Sequence, residues 1–124
     1  YKPENKLTRI KRGTNKKRSH KKILNLAKGH RGSRSKLFRQ ANESVLHALR
    51  YNYIHNKNKK RTFRRLWNVR INAAAREHGI SYSVFMSGLK KSEIAIDRKT
   101  LSDMAINEPV GFEQLVEKAK SSLN

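Results

Sequence analysis

The chain has no cysteine, so neither a disulfide framework nor a Cys-based zinc site is open to it. It has two prolines and six glycines in 124 residues, and neither type occurs between Ser33 and His78. Nothing local therefore compels a helix to break there. Acidic residues are scarce, nine against 30 Lys+Arg. No apolar run approaches the roughly 18–20 residues needed to cross a bilayer, and no secretory signal is visible. No phosphate-cradling glycine loop is present either. Gly13, Gly29 and Gly32 lack the strand–turn–helix context and the GK[ST] ending. Ser19, Ser33 and Ser81 have no His and Asp partners at a triad-like spacing. Of the five histidines, His47 and His55 stand eight residues apart and cannot chelate an ion as an i,i+4 pair does. These absences leave no enzyme reading, no metal, no cofactor and no small-molecule substrate.

What is present is charge, unevenly spread. Residues 1–70 hold 23 Lys+Arg and two acids, Glu4 and Glu43, whereas residues 71–124 hold seven basic and seven acidic residues. The whole formal excess of +21 thus lies in the first 70 residues. A segment so charged repels itself and does not fold compactly alone. It calls for a counter-charged partner, and nucleic acid is the densest one available.

Taken in order, Tyr1–Leu7 reads as an irregular tail, and Thr8–Gly13 as an extended basic segment ended by Gly13. Thr14 or Asn15 can cap a short helix that stops at Gly29. Lys16, Lys17, Arg18, His20, Lys21 and Lys22 surround that helix, and only Ile23, Leu24 and Ala27 give it an apolar patch. A helix polar nearly all round is unstable in water unless something binds it. His30–Arg34 is a turn, after which Ser33 or Ser35 can cap a second helix carrying Leu37, Phe38, Ala41, Val45, Ala48 and Leu49 at three- and four-residue steps.

That helix can run unbroken into the stretch around which the chain is organised, Lys57–Arg76. Here Phe63, Leu66, Trp67, Ile71, Ala74 and Ala75 form one apolar stripe, with Arg61, Arg64, Arg65, Arg70 and Arg76 turned away from it. A single helix over Ser35–His78 would span about 66 Å, with Asn56–Arg61 the natural place for a bend. The stripe is expected to enter a small core and the arginines to face a polyanion, rather than being merely solvated.

The remainder reads as compact helical structure. Gly79 ends the long helix, and Ser81 opens a short one with Phe85, Met86 and Leu89. Ile94 and Ile96 form an apolar connection to a helix capped by Asp97 and carrying Leu101, Met104, Ala105 and Ile106. Asp97 and Asp103 are expected to cap or to pair with Arg98 and Lys99. Asn107-Glu108-Pro109 breaks that helix, and Val110–Leu123 forms the last one, with Phe112, Leu115, Val116 and Ala119 inward. No strand pattern competes. The expected architecture is all-α: a long basic helical N-terminal arm over 1–58 and a small globular helical domain over 59–124.

KRG (11–13), HKKILNLAKGHRGSRSK (20–36), KKRTFRRLWNVRINAAAREHGISYSVFMSGLKK (59–91), IDRKTLSDMA (96–105) and LVEKAK (115–120) resemble the large-subunit ribosomal protein twenty family of bacteria and organelles. The resemblance runs from about Thr8 to Ala119, and FRRLW…RINAAAR followed by GISYS is its most specific part. It implies an arm inserted among ribosomal RNA helices and a small all-α domain on the RNA surface. It also implies early binding to large-subunit ribosomal RNA, support of subunit assembly, neighbouring large-subunit proteins as partners and, in some bacteria, repression of the protein's own messenger.

Carried over by position, the implied RNA contacts in the arm are Arg9, Lys11, Arg12, His20, Lys21, Lys22, Lys28, Arg31, Arg34, Lys36 and Arg39. In the hinge they are Lys59, Lys60, Arg61, Arg64, Arg65, Arg70 and Arg76. The dense basic run adds Lys16, Lys17, Arg18 and Arg50. The chain departs from the family at Tyr53-Ile54-His55-Asn56-Lys57, where Tyr-Arg-Asp-Arg-Arg is common, so no contact carries over at 54 or 56. Tyr1–Leu7 precedes the family's usual start and the chain lacks an initiator Met. The expected location is a ribosome, in a bacterial cytoplasm or an organelle, with the organelle favoured.

Two rivals come from other classes. A DNA-compacting basic protein would bind duplex DNA as well as RNA. A membrane-active basic peptide is disfavoured by the thin apolar stripe over 1–56.

Overall fold

A computed structural model describes residues 9–124. The tail expected over Tyr1–Leu7, and Thr8, lie outside the described residues. Five α-helices follow one another: α1 (Gly13–Leu26), α2 (Phe38–Glu77), α3 (Tyr82–Lys91), α4 (Arg98–Asn107) and α5 (Pro109–Leu123), with a 3-10 turn over Gly32–Ser35. Among the described residues there is no strand, so the all-α expectation stands. The chain divides into two compact units, Tyr1–His55 and Asn56–Asn124.

In the first unit α1 starts earlier than expected. Gly13 is its first residue rather than the end of an extended segment, Arg12 occupies the cap position, and no side chain caps the helix. The Lys16 amide bonds the Arg12 carbonyl, so the first turn closes before Thr14 or Asn15 could cap it. Gly29, at φ +86°, supplies the left-handed residue after the helix. In the turn that follows, the Ser35 hydroxyl bonds the Gly32 carbonyl and the Leu37 amide bonds the Ser33 carbonyl. The expected serine side-chain cap is thus replaced by backbone.

No residue within α1 is buried. Ala27 just beyond it, with Ala41 and Val45 of α2, forms a small cluster on which Ile23 and Leu24 pack. The His20 and Phe38 rings stack face to face at 3.7 Å, and His30 Nδ1 meets the Ser44 hydroxyl at 2.7 Å. Two buried alanines and one valine stabilise by only a few kcal/mol, at about 25 cal/mol per Å² of apolar area.

Helix α2 is continuous for 40 residues and is helical throughout 56–61, the stretch where a bend was conceivable. It ends in a Schellman motif. Gly79, at φ +83°, donates to the Arg76 carbonyl, and Ile80 donates to the Ala75 carbonyl. The Lys120 ammonium then bonds the His78 carbonyl at 2.6 Å.

The core of the second unit consists of Ile71 and Ala75 of α2, Phe85 and Leu89 of α3, Leu101 of α4, and Phe112, Leu115, Val116 and Ala119 of α5. Phe85 and Phe112 meet at 5.1 Å in a tilted pair. Helix α5 packs on both α3 and α4. Ile94, Ile96, Met104 and Ala105 are half-buried against the core, while Ile106 faces solvent. Pro109 opens α5 at a position where its missing N–H costs nothing. Asp97 has the extended backbone of an N-cap, and its carboxylate accepts a hydrogen bond from the Thr100 hydroxyl, which lowers its pKa below the usual value.

One expectation about the core is overturned. Phe63, Leu66 and Trp67 do not belong to it: Phe63 and Leu66 are exposed and Trp67 is half-buried. The reason is which residues meet that turn of α2. At that turn Lys99, Ser102 and Asp103 of α4 line a cleft with Phe63 and Trp67 where apolar packing was expected.

Candidate nucleic-acid interface

Between Arg9 and Arg70 the sequence holds 21 Lys+Arg and a single acid, Glu43. Local ion pairing therefore cannot neutralise this segment, and the structure leaves its charges in solvent. Arg9, Lys11, Arg12, Lys16, Lys17, Arg18, Lys21, Lys22, Lys28, Arg31, Arg34, Lys36, Arg39 and Arg50 are all exposed. The same holds in the second unit for Lys59, Lys60, Arg61, Arg64, Arg65, Arg70 and Arg76. His20 is the exception, half-buried because its ring lies on Phe38.

Helical spacing gathers some of these groups. Gly13, Lys16, Lys17, His20, Lys21 and Leu24 line a surface hollow of about 440 Å³ on α1, a patch of positive charge around a narrow apolar floor. His30 and Arg34 share a larger hollow, about 670 Å³, with Glu43, Ser44, His47 and Tyr51. The Arg50 guanidinium stands over the Tyr53 ring at 5.6 Å. In the second unit Lys59, Lys60 and Arg70 meet at one cleft with Phe63 and Trp67. Arg61, Arg64 and Arg65 lie outside that group, on the exposed part of α2. Arg76 is held differently, its Nε donating to Asn72 Oδ1 at 3.2 Å.

Sequence spacing missed three features. Lys99 joins the cleft beside Trp67, although nothing in its neighbourhood along the chain signals this. Asp103, expected to cap or pair locally, lines the same cleft. A polar network also ties α3 to α2: Asn72 accepts from the Tyr82 amide at 3.2 Å, Asn68 accepts from the Tyr82 hydroxyl at 3.0 Å, and Arg98 Nε donates to that hydroxyl at 2.8 Å. Arg98 is thus engaged in holding the domain together.

Three further histidines lie beside aromatic rings. His47 and His55 flank Tyr51 at 6.2 and 5.9 Å, and His78 lies beside Phe112 at 6.3 Å. Among the described residues no three His, Cys, Asp or Glu side chains gather as metal ligands would. No helix among them is long and apolar enough to cross a membrane.

An exposed, nearly acid-free array of Lys and Arg on helices, with aromatic rings interspersed, can neutralise backbone phosphates and stack on unpaired bases. Comparison with known proteins agrees with this chemistry. The family model described as Ribosomal protein L20 matches residues 9–115. The large ribosomal subunit protein bL20 of Alkaliphilus metalliredigens is 58% identical over 118 residues, covering 95% of this chain and 99% of that protein. Its counterpart in Thermomicrobium roseum is 56% identical over 117 residues, 94% of this chain and all of that protein. That of Clostridium kluyveri is 57% identical over 118 residues, 95% of this chain and 99% of that protein. All three sources are bacteria, so the expected preference for an organelle finds no support here. The chain belongs to the ribosomal protein L20 family.

Proposed function

We propose that the chain is a structural constituent of the large ribosomal subunit, binding large-subunit ribosomal RNA directly and supporting assembly of the particle. It is not an enzyme. Its partners are that RNA and neighbouring large-subunit proteins. The observation that carries the reading is the set of exposed cations between Arg9 and Arg70, facing a single acid. Such a segment acts as a polycation: it lowers the repulsion between RNA helices so that they can approach, and it reads shape and backbone more than sequence.

The two units divide the work. The arm, with α1 and the front of α2, fills gaps between RNA helices. The second unit docks on an RNA surface through Arg61, Arg64, Arg65 and Arg70. The bacterial source of the matched relatives supports a cytoplasmic ribosome as the site of action.

Sedimentation of the native protein tests this. Co-migration with large subunits, and retention there at moderate salt, is the expected result. Release at moderate salt together with equal affinity for duplex DNA would favour the DNA-compacting alternative.

A further inference from the structure

Phe63 and Trp67 stand one turn apart on α2, ring centroids 6.3 Å apart and tilted by 45°. Phe63 is 44% exposed and Trp67 half-buried, although the domain fills its core without either. Around them are Lys59, Lys60 and Arg70 of α2 and Lys99 of α4. Ser102 and the exposed Asp103 complete the wall of a cleft of about 470 Å³. Four cations against one carboxylate leave the cleft net positive. A purely apolar ligand has no use for that charge, and a bare polyanion has no use for two rings. A flat aromatic group carried between phosphates uses both.

Resting on the ribosomal reading above, we propose that this cleft takes one unstacked base of a single-stranded RNA segment. The base lies on Trp67 with Phe63 at its edge, and the phosphates on either side of it meet Lys59, Lys60, Arg70 and Lys99. The Asp103 carboxylate only accepts hydrogen bonds, so it favours a base that offers an exocyclic amino group. That disfavours uracil, whose single N3–H donor lies between two carbonyl oxygens that repel the carboxylate.

Trp67 is the only tryptophan in the chain, so its fluorescence reports on the cleft. The full chain is titrated with hexacytidylate, with hexauridylate, and with a fully abasic RNA hexamer carrying the same phosphates. The expected result is quenching of Trp67 by hexacytidylate and binding about fivefold or more tighter than the abasic hexamer, with hexauridylate between them. Trp67→Leu, followed by filter retention, should bring the cytidine and abasic hexamers to equal affinity. If that variant melts too early to assay, Phe63→Leu, at an exposed position, should shrink the same ratio.

Equal quenching and affinity for the cytidine and abasic hexamers would overturn the proposal. So would an unchanged ratio in the variants. Binding to intact large-subunit ribosomal RNA is measured alongside. If it persists while the hexamers do not differ, only the base site falls. If it is absent, the ribosomal reading and the base site fall together.

Discussion

Gly88 of α3 sits directly on Ala119 of α5: a Cβ placed on Gly88 would lie 2.6 Å from the Ala119 carbonyl oxygen and 2.7 Å from its Cβ. Both residues are buried, and the Gly88 carbonyl also accepts hydrogen bonds from the Ser92 and Ser122 hydroxyls, each at 2.9 Å. Because the obstruction is backbone, it cannot swing aside. Gly88→Ala should therefore cost about 1–3 kcal/mol despite the better helix propensity of alanine. Gly111→Ala is the contrasting case, since its Cβ would come closest to the flexible tip of Met104, at 3.3 Å, and would meet the Glu108 side chain only at ordinary contact distance. It should stabilise by roughly 0.5–1 kcal/mol. Urea melts of the two variants, read side by side, check both signs.

Glu93 repeats the Schellman arrangement of Gly79 with a residue poorly suited to it. It has φ +55°, its amide bonds the Lys90 carbonyl, and the Ile94 amide bonds the Leu89 carbonyl. A side chain in this conformation costs about 1–2 kcal/mol. Glu93→Gly should raise stability by up to about 1 kcal/mol once glycine's larger unfolded-state entropy is counted. A lower melting temperature for Glu93→Gly would show that the Glu93 side chain contributes something its exposed position does not suggest.

Along α2 the burial ranks two substitutions. Ile71 is fully buried in the core, and Ile71→Ala should cost about 2–5 kcal/mol. Trp67 is half-buried at a cleft, so Trp67→Ala should cost less than the roughly 3–5 kcal/mol expected for a buried aromatic. Thermal melts of the two variants give the order, and a reversed one would put Trp67 in the core after all.

Arg64 and Arg65 are exposed on α2, outside the core and the cleft. Changing both to Ala should leave the melting temperature within a few degrees, as each surface substitution shifts stability by roughly 0.5 kcal/mol or less. Affinity for large-subunit ribosomal RNA should fall, and the slope of log affinity against log salt should shrink by roughly one for each phosphate no longer neutralised. A lower melting temperature with affinity unchanged would mean that these two residues support the fold.

Much of this architecture is legible in the sequence because it rests on local rules. Gly79 and Pro109 punctuate the helices by backbone chemistry that needs no tertiary context. Phe112, Leu115, Val116 and Ala119 repeat at helical spacing and all turn inward. The same periodicity misleads at Phe63, Leu66 and Trp67. It identifies the face of a helix but cannot say which turns of that face another element covers. Lys99 is invisible as a member of the cleft for a related reason, as only the packing of α4 brings it beside Lys59, Lys60 and Arg70. Gly13 is ambiguous because a glycine followed by polar residues fits a helix start as well as a stop. The first unit also has more structure of its own than its charge suggests, through the Ala27–Ala41–Val45 cluster and the His20–Phe38 stack.

That small cluster frames the most direct test of the polycation model: amide hydrogen exchange on the full chain, alone and bound to large-subunit ribosomal RNA. With no residue of α1 buried and a dense positive charge to disperse, amides of Gly13–Leu26 should exchange freely in the unbound protein and slow by orders of magnitude in the complex. Amides of α3 and α5 should be protected in both states. Equal, strong protection of α1 with and without RNA would contradict the claim that the basic front of this chain is completed by its nucleic-acid partner.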